Sequence, residues 1–135
     1  MFTTTLEAYA MPAQDVHETA VARYFEAWNT ADAAELPKAV AAAWTEDGTY
    51  TDPLADVSGH EGIAAVITGA REQFPGFSFR HTGEVDGHHG IARFTWELVS
   101  DADGTAPVAG FDVIELAEDG RIRTVHGFLD RLPAA

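Results

Sequence analysis

The sequence contains no cysteine, and this absence removes several kinds of chemistry at once. A chain without thiols cannot form disulfides, bind zinc through thiolates or use a cysteine nucleophile. Basic residues are also scarce, because 8 Lys and Arg stand against 22 Asp and Glu, which gives a formal net charge of −14. Nucleic acids and anionic membranes are bound through basic surfaces, so this balance argues against both as partners. Small uncharged ligands and protein partners stay open.

A long hydrophobic run is missing as well. No stretch is apolar over the roughly 20 residues that a transmembrane helix needs. Residues 1–14 contain an acid at Glu7 and no basic cluster, which predicts a flexible polar leader and not a secretion signal. We therefore expect a cytoplasmic protein with one domain over residues 15–132, large enough to enclose a small pocket.

Three segments carry the start signals of helices. In each, an N-cap oxygen is followed three residues later by an acid, in the pairs Asp15 and Glu18, Asp32 and Glu35, and Ser58 and Glu61. The second segment contains Pro37, which removes a helical donor and predicts a late or kinked start. The third is predicted to run from Gly59 to about Phe74, where Pro75 and Gly76 stop it.

After Gly76 the hydrophobic period changes from that of a helix to that of a strand. Apolar and polar residues alternate over residues 77–82 and 93–98. Glycine-bearing turn signals at residues 85–87, 101–104 and 118–120 separate four long antiparallel strands. The predicted fold class is α+β, with three N-terminal helices packed on a strongly curved, mostly antiparallel sheet that encloses a cone.

Three residues are candidates for chemistry, and each also has a simpler interpretation. Tyr24 lies on the apolar stripe of the first helix, where a tyrosine usually belongs to the core. Asp52 ends a strand-like run directly before Pro53, a pair that usually marks a turn. Asp112 lies in mid-strand among apolar residues. It is therefore either a buried carboxyl group with a raised pKa or, if the other face of the strand is buried, exposed to water.

The order and surroundings of these residues resemble those of the ketosteroid isomerases and of the wider nuclear transport factor 2-like, or cystatin-like, fold. The resemblance covers residues 16–130 and rests on the segments ETAVARYFEAWNTAD, EDGTYTDPLADVSGHEGI and APVAGFDVIELAEDGRI. It implies that Asp52 is a catalytic base, while Tyr24 and a protonated Asp112 donate hydrogen bonds to the oxyanion of a dienolate. Ketosteroid isomerases are the known example of a carboxylic acid kept neutral by an apolar site.

The same resemblance implies an enzyme that needs no cofactor or metal and forms a homodimer through its sheet. Its substrate would be a small hydrophobic molecule that carries a carbonyl group. We expect the substrate pocket to be lined by five apolar side chains, namely Trp28, Leu54, Phe79, Phe94 and Trp96. The bulk of Trp96 is expected to reduce the volume of this pocket.

Two other functions stay open. Polyketide cyclases of the SnoaL type resemble the chain over the same span, and in that case Asp112 would be the base of an intramolecular aldol reaction, with His81 as its helper. The simpler interpretation of His81 is a buried, satisfied imidazole. A non-catalytic, small-ligand-binding dimer would have the same fold. The other histidines lack metal-ligand spacing, because His88 and His89 predict a solvated turn and His126 an outward position.

Overall fold

The computed structural model describes residues 16–133 of the chain. These residues form three helices, α1 (16–28), α2 (Leu36–Ala43) and α3 (Gly59–Gln73). They also form six strands, β1 (Trp44–Asp52), β2 (Ala55–Ser58), β3 (Phe77–His88), β4 (Ile91–Ser100), β5 (Val108–Leu116) and β6 (Ile122–Arg131). The predicted leader and the predicted helix cap at Asp15 lie outside the described residues. No helix within residues 16–133 has the length and apolar character needed to cross a membrane.

The strands form one sheet in the order β2-β1-β6-β5-β4-β3. Neighbouring strands are antiparallel except for β1 and β6, which run parallel. Register shifts interrupt the β1–β6, β3–β4 and β5–β6 pairings. Such irregularities bend strands and increase their twist. The predicted α+β class, with helices on a curved and mostly antiparallel sheet, is confirmed.

The helices cover one face of the sheet, and the core lies between these two layers. The first helix contributes Val21, Tyr24 and Trp28 at helical spacing, and α3 contributes Ile63 and Ile67. The sheet meets them with buried side chains from several strands, namely Trp44, Phe94, Ile114, Ile122 and Val125. Burying an aliphatic or phenylalanine side chain stabilises the fold by about 1.5–3 kcal/mol. The layers are thus held together mainly by apolar contacts around the inner face of the sheet.

The start of α2 differs from its predicted cap. Asp32 accepts a hydrogen bond from the Ala34 amide at 2.8 Å, which makes a turn, and the helix begins only at Leu36. Pro37 lies in its first turn, where the missing N–H would have had no helical partner. The late start is therefore confirmed, and the N-cap role of Asp32 is wrong. The third helix follows Ser58 as predicted, although this side chain forms no capping bond.

Strand β3 continues through the turn that was predicted at residues 85–87. The chain turns instead after His88, and His89 has a φ of 52°. Gly87 leaves space for the ring of His17 on the first helix, because a Cβ at position 87 would lie 2.5 Å from that ring. That ring is buried and donates from Nε2 to the His89 carbonyl at 3.0 Å. The turns predicted at residues 101–104 and 118–120 are confirmed.

Candidate functional site

A cavity of about 390 Å³ lies between the helices and the inner face of the sheet. Its wall is mostly aliphatic and aromatic, and the side chains on it that carry a polar atom are those of Tyr24, Trp28, Tyr50, Asp52, Gln73 and Trp96. Among the described residues, Asp52 contributes the only carboxylate of this wall, and no lysine, arginine or histidine lines it. The cavity therefore offers an apolar environment with one negatively charged group.

Four of the five predicted pocket residues lie on the cavity wall. These are Trp28, Leu54, Phe79 and Trp96. Phe94, the fifth, lines no part of the cavity. Its side chain is 2% exposed and packs against Tyr24, with 5.3 Å between the ring centroids. The first helix covers this part of β4, so Phe94 belongs to the core beneath the helix.

Asp52 ends β1 and is held by three hydrogen bonds. Its Oδ1 accepts from the backbone N–H groups of Leu54 and Ala55, each at 2.8 Å. Its Oδ2 accepts from the Tyr50 hydroxyl at 2.6 Å. Residues two apart in a strand point to the same face, which brings these two side chains together. One oxygen thus serves the turn before β2, while the other meets a side chain of the cavity wall.

Asp112 lies on the buried face of β5 and is only 2% exposed. Its Oδ2 accepts a hydrogen bond from the Tyr24 hydroxyl at 2.5 Å, and its Oδ1 accepts one from Trp96 Nε1 at 3.3 Å. Burial raises the pKa of the Asp112 carboxyl group to about 6, although these two donors oppose the shift, and the nearby charge of Asp52 adds to it. The sequence left two orientations open for the Asp112 side chain, and in the structure this side chain points to the buried face.

Tyr24, Asp52 and Asp112 lie close together, but they do not all reach the cavity. Asp112 does not line the wall; it lies behind Tyr24 and Trp96, which do. Gly127 of β6 separates the two carboxyl groups, because a Cβ there would lie 3.0 Å from Asp112 Oδ1 and 3.1 Å from the Asp52 Cβ. A direct contact between Asp112 and an oxyanion in the cavity is therefore absent from this arrangement.

The two phenols beside the carboxyl groups stay protonated near neutral pH. Burial raises the pKa of Tyr24 well above its ordinary value, and the neighbouring Asp112 and Tyr50 raise it further. Burial likewise raises the pKa of Tyr50, with added contributions from Asp112 and Asp52. Both hydroxyls can therefore act as neutral hydrogen-bond donors.

His81 is not part of this cluster. It lines a separate groove between α1 and β3, and its ring stacks on Phe25 with 5.8 Å between centroids. Phe25 and Phe79 line both the groove and the cavity, so these two rings separate His81 from the wall that Asp52 shares. The hydrogen bonds of Asp112 come from Tyr24 and Trp96, so the predicted partnership of His81 with this carboxyl group is not present in the structure. The imidazole is also not fully satisfied, because its buried Nε2 has no hydrogen-bond partner.

The other histidines lie away from the cavity. His126 is exposed and forms a hydrogen bond with Glu115 at 3.1 Å, and His88 and His89 are exposed at the β3–β4 turn, as their patterns predict. Within residues 16–133, no group of three or more histidine, cysteine, aspartate or glutamate side chains is arranged to hold a metal ion.

Tyr50 is the candidate residue that the sequence analysis did not identify. It is 4% exposed, lines the cavity and packs against Trp28 with 5.4 Å between ring centroids. The available signal is its spacing, because a strand that points Asp52 toward the cavity also points Tyr50 there. The combination of a phenol and a carboxylate two residues apart at a strand end was therefore readable in the sequence.

The chain matches the family model of the SnoaL-like domain over residues 21–125, a range that includes Tyr24, Asp52 and Asp112. A solved structure from Agrobacterium tumefaciens str. C58, described as a candidate isomerase of the SnoaL-like family, is 43% identical and has a TM-score of 0.81. The similarity covers 86% of this chain and 98% of that one. The protein belongs to the SnoaL-like domain family.

More distant structures share the fold of this SnoaL-like domain. One, from Jannaschia sp. CCS1, is described as a candidate SnoaL-like polyketide cyclase; it has 18% identity and a TM-score of 0.71 over 88% of each chain. Another, from Methylobium petroleophilum PM1, is described as having a cystatin-like fold; it has 18% identity and a TM-score of 0.69 over 90% of this chain and 80% of that one. A comparison with the curated proteins found no match to this chain.

Proposed function

We propose that this SnoaL-like domain is an isomerase that removes a proton next to a carbonyl group and returns it to another carbon, as ketosteroid isomerases do. The observation that carries the proposal is the position of Asp52, a hydrogen-bonded carboxylate on the wall of an otherwise apolar cavity. Two neutral phenols lie beside it. The 43% identical relative, described as a candidate isomerase, supports the same class of reaction.

The cavity favours a small, uncharged substrate. No cationic side chain of the described residues lines it, and the net charge of −14 disfavours the approach of anions. Its volume of about 390 Å³ lies toward the lower end of the range of roughly 300–1,000 Å³ that is common for small-molecule sites. A hydrophobic ketone with a neighbouring carbon–carbon double bond fits these properties.

Asp52 would act as the base in both proton transfers. In the first step the carboxylate takes a proton from the carbon next to the carbonyl group, and the electron pair of that C–H bond forms a dienolate. In the second step Asp52 returns the same proton to the far end of the conjugated system. The substrate gains and loses no atoms, so the reaction needs no other reactant.

Tyr24 would stabilise the charged oxygen of the dienolate, and Asp112 would act behind it as a positioning residue. In the structure Tyr24 donates its hydroxyl hydrogen to Asp112. A protonated Asp112 can instead donate to the Tyr24 oxygen, which leaves the Tyr24 hydroxyl free to donate into the cavity. The pKa of about 6 at Asp112 allows this protonated form to be populated close to neutral pH.

A cyclase is the second candidate, because the Jannaschia structure that shares the fold is described as a candidate SnoaL-like polyketide cyclase, and an aldol ring closure also begins with proton removal beside a carbonyl group. The version with Asp112 as base and His81 as helper lacks support, since neither residue lines the cavity. Asp52 would have to be the base in this reaction too. Ligand binding without catalysis is the third outcome that an experiment must separate.

The test is turnover of a β,γ-unsaturated 3-ketosteroid and of the smaller cyclohex-3-enone, followed by the absorbance of the conjugated product. We expect Asp52→Asn to reduce kcat/KM by about 10²–10⁴-fold, the usual range for losing a general base. Asp56→Asn is the matched control, because Asp56 is exposed on β2 and lies outside the cavity wall. Full turnover by Asp52→Asn would remove this residue from the base role, and binding without turnover by the wild type would indicate a ligand-binding domain.

We also propose that the protein forms a homodimer through the outer face of its sheet. Phe111 and Phe128 stack on this face with 4.8 Å between centroids and 10° between ring planes, and Phe128 is 48% exposed. An exposed aromatic pair suits a two-fold contact with a second copy. Sedimentation velocity should show a dimer for the wild type and a monomer for Phe128→Glu, whereas Leu54→Glu at the cavity mouth should stay dimeric. A monomeric wild type contradicts the proposal.

A further inference from the structure

We propose that Oδ2 is the atom of Asp52 that takes and returns the proton, and that Tyr50 is the positioning residue that presents this atom to the substrate. The inference deepens the proposed function and rests on it, because it names the atom on which the transferred proton resides. It concerns a residue that the resemblance to ketosteroid isomerases does not assign.

The hydrogen bonds of Asp52 leave one oxygen available. A carboxylate oxygen can accept two hydrogen bonds. Oδ1 already accepts two, from the backbone N–H groups of Leu54 and Ala55, each at 2.8 Å. Oδ2 accepts one, from Tyr50 at 2.6 Å. The remaining acceptor position of the carboxylate is therefore on Oδ2, next to the phenol that lines the cavity.

The proton balance of the reaction can be completed at this position. The C–H bond of the substrate breaks, its electron pair stays in the dienolate, and the proton forms an O–H bond on Oδ2. In the return step this O–H bond breaks and a new C–H bond forms. Tyr50 keeps its own proton throughout, because burial raises its pKa far above the ordinary value for a tyrosine. It therefore orients the base without entering the chemistry.

Tyr50 is held firmly enough to orient a neighbouring group. Its ring is 4% exposed and packs against Trp28. Its backbone is paired on both sides, in register with Val57 of β2 on one side and Val125 of β6 on the other. A phenol fixed in this way limits rotation of the Asp52 carboxylate, which two backbone amides hold from the other side.

No cationic side chain among residues 16–133 lines the cavity, so none of them can replace the hydrogen bond from Tyr50. The titratable groups that face Asp52 from other elements are Asp112 of β5 and the neutral Tyr24 of α1. The third helix contributes no charged side chain to the cavity wall. Asp56 of β2 and His126 of β6 are exposed on the opposite face. Losing the phenol should therefore leave Oδ2 without a hydrogen-bond donor among the described residues.

The first test compares kcat and KM of the wild type and Tyr50→Phe on the enone substrates. Loss of the phenol that orients Oδ2 should lower kcat by about 10–100-fold, as expected for losing one hydrogen bond to a charged group, and should leave KM nearly unchanged. Asp56→Asn is the matched control and should keep the wild-type kcat, because Asp56 is exposed and lies outside the cavity wall. An unchanged kcat in Tyr50→Phe would overturn the inference.

The second test uses a substrate deuterated at the carbon next to the carbonyl group and measures how much deuterium the product retains. A base that is held in one orientation returns the same hydrogen, so Tyr50→Phe should retain less deuterium than the wild type. A purely structural role would lower the folded fraction and leave the retained fraction unchanged. If Tyr50→Phe does not fold, 3-fluorotyrosine in a Tyr9→Phe, Tyr24→Phe background makes the donor at residue 50 more acidic and should change kcat relative to the same variant without fluorine; no change would again contradict the inference.

The failure of this inference differs from failure of the proposed function. Full turnover by Asp52→Asn would end the proposed function whatever the result for Tyr50→Phe. Loss of turnover in Asp52→Asn, together with wild-type kcat and wild-type deuterium retention in Tyr50→Phe, would leave Asp52 as the base and remove Tyr50 from its positioning role.

Discussion

Two pairs of a phenol and a carboxyl group lie side by side in this protein, and they differ in their surroundings. Asp112 is sealed in the core at 2% exposure, and its partner Tyr24, at 3% exposure, lies between it and the cavity. Tyr50 and Asp52 lie on the cavity wall, and Asp52 also bonds two backbone amides. The same two functional groups thus form a buried pair with a raised carboxyl pKa in one place and an accessible carboxylate in the other. Burial, more than residue type, therefore decides which carboxyl group has a raised pKa and which one is accessible from the cavity.

The largest effect on stability is expected from the ionisation of the buried Asp112 carboxyl group. The folded protein raises the pKa of Asp112 from 3.8 to about 6, so it binds this proton more tightly than the unfolded chain. The resulting stabilisation is present below about pH 4 and is lost as the pH rises through about 6. The free energy of unfolding of the wild type, relative to that of Asp112→Asn, should therefore fall by about 2–3 kcal/mol between pH 4 and pH 7.

Urea unfolding of both proteins across this range measures the difference directly. The acidic groups shared by the two chains cancel in it. A difference between wild type and Asp112→Asn that stays constant from pH 4 to pH 7 would contradict the raised pKa of this group.

A smaller loss is expected from Tyr24→Phe. This substitution removes the shorter of the two hydrogen bonds to Asp112 and leaves a buried carboxylate with only the Trp96 donor. We expect a loss of about 2 kcal/mol in unfolding free energy at pH 7, and a lesser one at pH 4.5, where Asp112 is protonated. Equal losses in urea unfolding at the two pH values would contradict the view that Tyr24 mainly supports a charge.

The smallest effect is expected from the same substitution in the other pair. Tyr50→Phe should cost about 1 kcal/mol at pH 7, because Asp52 keeps two backbone donors and is partly reached by water. Parallel urea titrations of Tyr50→Phe and Tyr24→Phe provide the comparison. A larger loss in Tyr50→Phe would reverse the ranking of the two pairs.

Local patterns predict much of this site. The helical stripe places Tyr24 toward the sheet, and Asp-Pro at a strand end places Asp52 at the edge of the cone. Alternation could not decide the orientation of Asp112, because apolar residues lie on both faces of β5. The deciding contact is a hydrogen bond with Tyr24 across 88 positions of the chain. Such a contact leaves no trace in a local pattern, and neither does the separation of His81 from the cavity by Phe25.

The misplaced turn in β3 has a similar cause. A glycine after Val85 and Asp86 has the composition of a turn, but Gly87 is required by the ring of His17 on the first helix. Glycine signals a need for space or for unusual backbone angles, and a sequence alone does not distinguish these needs. Sequence reasoning was reliable here for elements with their own periodicity and unreliable where a distant side chain determined the local residue.

The parallel pairing of β1 with β6 has a consequence for the order of folding. It sets Thr51 opposite His126, so the strand that ends in Asp52 meets the strand that carries Gly127 only when distant parts of the chain come together. Contacts between distant segments form more slowly than the β3-to-β6 meander, whose strands are neighbours along the chain. We expect the two carboxyl groups to approach each other after the folding transition state, so that substitutions at Asp52 mainly accelerate unfolding. A nascent or partly folded chain would then contain the meander but not the adjacent carboxyl groups of Asp52 and Asp112.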